Sequence, residues 1–248
     1  MISFFFKKPI KFTPSKKLFK INQSIIKPLD FTDAPVINKR NPMQENWLAL
    51  ITKYTNNPTL IAASWTEITE NYSQKNRAYH NLTHLQNMFQ ELEQYKSEIE
   101  DLDVLKFAIW YHDLIYNALK KDNEERSADF AKNILSQTTF AADRIERCYQ
   151  QILSTKTHQP KDSTTVDDQL MIDFDLEILS RDWETYKIYC QQIRKEYWMY
   201  PGPLFRKGRK KAMQHFLERP TIYQSSFYQQ AKEAQARANI EREIAELL

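Results

Sequence analysis

Glycine is nearly absent from this 248-residue chain: only Gly202 and Gly208 occur. Tight hairpins and phosphate-cradling loops consume glycine, so this scarcity argues against a sheet-rich fold. It also rules out the GxGxxG and GxxxxGK[ST] loops that bind dinucleotides and nucleoside triphosphates, and the GxSxG turn that presents a nucleophilic serine. Any phosphate must then be held by side chains, a metal or helix ends. Cysteine is equally sparse. Cys148 and Cys190 are isolated, with no CxxC spacing for a zinc knuckle and no disulfide framework, which points to a reducing cytoplasm. No apolar run approaches the ~20 residues of a membrane-spanning helix, and the stretch Ile2-Ser3-Phe4-Phe5-Phe6 is shorter than the apolar core of a secretory signal. These absences predict a soluble protein.

Charge is unevenly spread. Residues 1–40 carry nine Lys or Arg against Asp30 and Asp33, within an overall balance of +3, so the rest of the chain is slightly acidic and is not a nucleic-acid-binding surface by charge. The basic, proline-containing start reads as a poorly ordered extension, with contact to anionic lipid or nucleic acid as the functional alternative. From residue 41 to 248 apolar residues recur at helical spacing, as in Trp47, Leu48, Leu50, Ile51 and Tyr54 behind the entry Asn41-Pro42. Further helices are predicted at 58–73, 81–98, 102–117, 123–136, 141–155, 166–180, 183–199, 203–218 and 224–247, with no internal repeat and no second domain. Breaks fall at Asn56-Asn57-Pro58, Gln159-Pro160-Lys161-Asp162-Ser163, Pro201-Gly202-Pro203 and Arg219-Pro220. The expected fold is an all-α multihelical bundle, residues 41–248, preceded by an irregular extension.

Metal-binding side chains gather on these helices. His80 and His84 stand four apart and share a face if helical. The pair His112-Asp113 ends the apolar run from Phe107, and Asp173 and Asp175 lie further on. An aspartate amid so much apolar surface needs a countercharge, and a divalent metal is one. Two His and two Asp suit Zn, Mn, Fe or Mg and leave open positions for water and substrate. Such an ion activates water and polarises a phosphoryl oxygen without a side-chain nucleophile.

Four motifs in order, Tyr79-His80-Asn81-Leu82-Thr83-His84, Trp110-Tyr111-His112-Asp113, Asp122-Asn123-Glu124-Glu125-Arg126-Ser127-Ala128 and Asp173-Phe174-Asp175-Leu176-Glu177-Ile178-Leu179, resemble the HD-domain metal-dependent phosphohydrolases, named for an adjacent His-Asp pair. The likeness extends to Phe205-Arg206-Lys207-Gly208-Arg209 and Ala236-Arg237-Ala238-Asn239-Ile240-Glu241-Arg242-Glu243, covering roughly residues 43–245. It implies a divalent metal held by His84, His112, Asp113 and Asp175, with Asp173 as the fallback ligand. The first segment is also similar to that of cyclic-nucleotide phosphodiesterases, which makes His80 the general acid, a role its ordinary pKa of ~6.5 suits. Asp113 then serves both metal and catalysis. Glu124 positions water, or simply complements the start of its helix. His158 and Lys156 bind substrate phosphate, His158 alternatively favouring a helix end as a cation. Arg209 reaches a phosphate from a basic, otherwise solvated helix face, and His215 is a surface or packing residue. Leu114-Ile115-Tyr116 departs from the continuations of other branches, so neither cyclic-dinucleotide nor alarmone specificity carries over. The expected activity is hydrolysis of a small phosphorylated compound, a nucleotide or related phosphoester, by a main domain without DNA or RNA partners, in a protein that can self-associate. The rival readings are a noncatalytic metal-containing sensor on the same scaffold and a di-iron oxygenase.

Overall fold

The computed structural model describes residues 41–159 and 165–247. Ten α-helices follow one another: α1 Pro42–Ile51, α2 Pro58–Tyr72, α3 Leu82–Gln94, α4 Leu102–Tyr111, α5 Asn123–Leu135, α6 Ala142–Ser154, α7 Val166–Asp175, α8 Trp183–Glu196, α9 Gly202–Leu217 and α10 Ser226–Glu246. Short 3-10 turns lie at Lys96–Glu98 and Glu177–Ser180, and there is no strand among the described residues. The protein is all-α, as its lack of glycine predicts. The expected extension at 1–40, like the turn at 160–163, lies outside the described residues. None of the described helices is long and apolar enough to cross a membrane.

Helix starts follow their local chemistry. Asn57 Oδ1 accepts from the amides of Thr59 and Leu60 (3.0 and 3.2 Å) with Pro58 in the first turn, and Asn41 opens α1 in the same way. Thr165 and Asp168 cap α7 reciprocally.

Helix α4 is the centre of the molecule. Val104, Leu105, Phe107, Ala108, Ile109, Trp110 and Tyr111 are all fully buried, and α3, α5, α6 and α7 pack around them. Trp47 of α1 sets its ring edge-on to Trp110 and Tyr111, with centroids 5.7 and 5.8 Å apart. Each large apolar side chain buried here contributes about 1.5–3 kcal/mol relative to exposure, so α4 is held firmly along its whole length.

Three predicted helices stop four or more residues early, two of them at or beside the candidate ligands His112 and Asp175. The span 102–117 ends at Tyr111 because the buried Arg77 guanidinium donates to the carbonyls of Asp113 and Leu114 (2.6 and 2.7 Å), while Ser127 Oγ accepts from the Ile115 amide (3.0 Å). Those backbone groups are drawn out of the helical ladder. The span 166–180 breaks after Asp175, where Tyr223 Oη donates to the Leu176 carbonyl (3.2 Å) and the chain tightens into a 3-10 turn. The span 81–98 gives way after Gln94 to a 3-10 turn over Lys96–Glu98.

Candidate metal centre

Four donor groups from three helices meet beside the end of α4. Asn81 caps α3 by accepting from the Thr83 amide (2.8 Å), which sets His84 in the first turn. His112 closes α4, Asp113 follows it, and Asp175 is the last residue of α7. His84 Nε2 lies 3.2 Å from His112 Nε2 and 3.1 Å from Asp175 Oδ1. His112 Nε2 lies 3.3 Å from Asp113 Oδ2 and 3.6 Å from Asp175 Oδ1. One donor atom from each of the four residues falls within 4.8 Å of every other. Donors bound at ~2.0–2.2 Å to a tetrahedral ion stand about 3.4 Å from one another, so the spacing already matches.

The orientation of the donors fits a cation as well. His112 Nδ1 donates to the Ile109 carbonyl (2.9 Å), because a carbonyl can only accept. In the neutral ring this leaves Nε2 as a bare lone pair directed at the cluster. Without an ion, burial works against charge on His112 but Asp113 and Asp175 outweigh it and raise its pKa well above the ordinary value. In turn, burial pushes the carboxyls of Asp113 and Asp175 up, while His112 and its neighbours outweigh burial and hold both below the usual carboxylate range. His84 Nδ1 is buried without a partner among the described residues, the one gap in this second layer of bonds. The buried group His84, His112, Asp113 and Asp175 can hold a metal ion.

Asp173 does not join it. Its carboxylate accepts from the amides of Gln224 and Ser225 and from Ser225 Oγ (2.7, 2.8 and 2.6 Å), anchoring the entry to α10. Burial nonetheless pushes Asp173 up to about 6, against those three bonds.

His80 lies at the rim, its Nε2 3.9 Å from Asp113 Oδ2. Its Nδ1 is 2.6 Å from Glu196 Oε2 of α8, and its ring stacks on Tyr116 with centroids 4.3 Å apart. The other Glu196 oxygen accepts from the backbone amides of Tyr79 and His80 (2.8 and 2.9 Å), and Tyr116 Oη donates to Oε2 (2.8 Å). Burial lowers the pKa of His80, but Glu196 and Asp113 outweigh it and leave it raised. Glu196 is held low, burial being outweighed by His80 and the two amides. Glu196, Arg77 and Tyr116 were not legible as site residues in the sequence. Glu196 stands 116 residues from His80 in a charged helix end, Arg194-Lys195-Glu196, that reads as a solvated surface.

The remaining candidates take different places. Glu124 is buried and borders the space in front of Asp113, beside Asn123, whose amide clamps the backbone of Asn117. His158 borders the same space, but its Nε2 is taken up by Asp175 Oδ2 at 2.8 Å. It adopts a left-handed backbone (φ 50°), and Arg219 donates to its carbonyl at 2.9 Å. Burial pulls its pKa below the ordinary value despite Asp175, and its ring orients that carboxylate. Lys156 sets its ammonium on Glu125 and does not line the space. Arg209 is a correction. It is buried, its Nε and Nη2 donating to Glu243 at 2.7 and 3.0 Å and its Nη1 to Tyr189 Oη at 3.2 Å. The solvated basic face seen in the sequence turns this residue inward, and Tyr189 stands between it and the site.

The open space among these residues is about 40 Å³, room for roughly two or three water-sized groups. Tyr79, Tyr116, Tyr189 and Tyr197 wall the opening. Comparison with known proteins finds no matching family model and no match among curated proteins or solved structures.

Proposed function

We propose that the protein is a metal-dependent phosphohydrolase acting on a small phosphoester, a nucleotide or related compound, at the His84, His112, Asp113 and Asp175 cluster. The observation that carries this reading is the convergence of those four donors, one of them a histidine whose second nitrogen is fixed by a backbone carbonyl, beside a third histidine, His80, that is not a donor to the cluster and is held by Glu196. A divalent ion held there supplies Lewis acidity that brings the pKa of water toward neutrality and neutralises charge on a phosphoryl oxygen. Mn, Mg, Fe and Zn all accept this donor set. His80 keeps its Nδ1 proton on Glu196 and, in its cationic form, presents the Nε2 proton to the leaving oxygen. Glu196 fixes the ring and favours that form. Asp113, 3.9 Å away, faces both the cluster and His80. Tyrosine walls and the small open space exclude bulk water from the reacting group.

The test is elemental analysis of the purified full chain and of Asp113→Ala, paired with phosphate release from nucleotides and phosphoesters with each of the four metals. Bound metal and turnover that vanish together in the variant support the proposal. Metal without turnover on any phosphoester favours the sensor reading, and absence of metal after every loading condition overturns both.

A further inference from the structure

The largest cavity described is elsewhere. A groove of about 600 Å³ runs between α8, α9 and the end of α10, within the range of small-molecule sites. From Trp183 at one end to Lys195 at the other it follows α8 for about 18 Å. Its cations are Lys187, Arg194, Lys195 and Arg206. Arg194 donates to the carbonyls of Tyr197 and Tyr200 (2.7 and 3.1 Å). Lys187, Lys195 and Arg206 are exposed, with no hydrogen-bond or ion-pair partner among the described residues. The two acids at the groove are already answered: Glu243 by Arg209, and Glu246 by Arg242 at 3.5 Å. The field inside is therefore positive. Its aromatic lining is Trp183, which carries the Arg242 guanidinium 3.9 Å from its ring centre, and the largely buried Phe205, which carries that of Arg194 at 4.8 Å, so each offers its remaining edge or face; Cys190 lines the groove as well. Burial pushes the Cys190 thiol up to about 12, so the groove is suited to recognition rather than to thiolate chemistry.

We propose that this groove is a second ligand site, taking a phosphorylated small molecule whose flat apolar body lies against Phe205 and Trp183 while its phosphate is held by Lys195 and Arg206. A phosphate dianion answers more of the unmatched charge than a carboxylate does, and Arg206 offers the planar fork that phosphate oxygens accept. The site is separate from the metal cluster. Tyr189, Ile193 and Glu196 face the cluster from the opposite side of α8, so about 10 Å of helix lies between the two. The inference does not depend on hydrolysis at the cluster.

Equilibrium dialysis of the metal-free full chain against adenosine 5′-monophosphate and against inorganic phosphate, at moderate salt, tests it. Saturable binding of the nucleotide, tighter than that of inorganic phosphate, is expected. It should persist in Asp113→Ala and in the exposed control Lys207→Glu, and weaken by roughly tenfold or more in Lys195→Glu/Arg206→Glu, whose exposed side chains leave the fold intact. Four results each overturn the proposal: no saturable nucleotide binding, binding unchanged in the double variant, binding lost in Asp113→Ala, or nucleotide bound no more tightly than inorganic phosphate.

Discussion

Two buried clusters of charge share Tyr189 of α8 as a neighbour, and they are built on opposite principles. In one, Arg209 and Glu243 form a two-pronged pair closed by the hydroxyls of Tyr186 (2.5 Å) and Tyr189, with every charge answered by its neighbours. In the other, two carboxylates and two imidazoles turn their acceptors toward a common point, and no cationic side chain of the cluster answers them. Burial alone does not separate structural from functional charge, since both clusters are buried. What separates them is whether the partners already present complete the electrostatic balance.

The sharpest way to break this contrast is at the open cluster. Asp175→Ala should abolish specific ion binding, a loss of more than about 100-fold in affinity measured by titration with Mn or Zn. Retention of a full equivalent of metal would remove the cluster from consideration as a site. At the closed cluster, Arg209→Met leaves Glu243 buried and unpaired and should cost about 3–5 kcal/mol in urea unfolding. The double variant Arg209→Met/Glu243→Leu should recover most of that loss, which no role for Arg209 in holding substrate would explain.

Adding metal sharpens the difference from the other side. At 100 times its dissociation constant an ion should stabilise the wild type by about 2.7 kcal/mol, visible as a rise in Tm. The same increment should appear in Arg209→Met and be absent in Asp175→Ala. A smaller effect is expected at His158, which orients Asp175 without joining the cluster: His158→Gln should weaken metal binding by about tenfold while leaving one site per chain.

The smallest effect concerns protons. The pKa of His80 is raised in the folded protein, so its contribution to stability is fully present below the ordinary value of ~6.5 and is lost as pH rises through the folded value. The pKa of Glu196 is lowered, so its contribution is present above the ordinary ~4.3 and is lost as pH falls through the folded value. Glu196→Gln should move the NMR titration of the His80 ring to lower pH and draw the alkaline limb of any phosphohydrolase activity down with it. An unmoved His80 titration would show that Glu196 does not set the proton affinity of this ring.

Much of the fold was legible because helix formation is local. Scarce glycine, 3.6-residue periodicity and Asn-Pro entries at 41–42 and 57–58 specify helices and their starts through contacts only a few residues apart. The ends of helices were less legible. Tyr111 and Asp175 terminate theirs because Arg77, Ser127 and Tyr223, all distant in the chain, capture the backbone.

The donors of the candidate site were legible one by one, since His112-Asp113 in an apolar run calls for a countercharge wherever it folds. By itself the sequence determined the helical class, the helix starts and the residue types able to bind an ion, all set by local hydrogen bonding and side-chain chemistry. Only the tertiary structure decided that Asp175 rather than Asp173 faces the histidines, that Glu196 holds His80, that Arg209 turns inward to Glu243, and that a positive groove opens behind α8. Each of these depends on which partner a charge meets across tens of residues, and charge balance is a property of the packed site rather than of the chain.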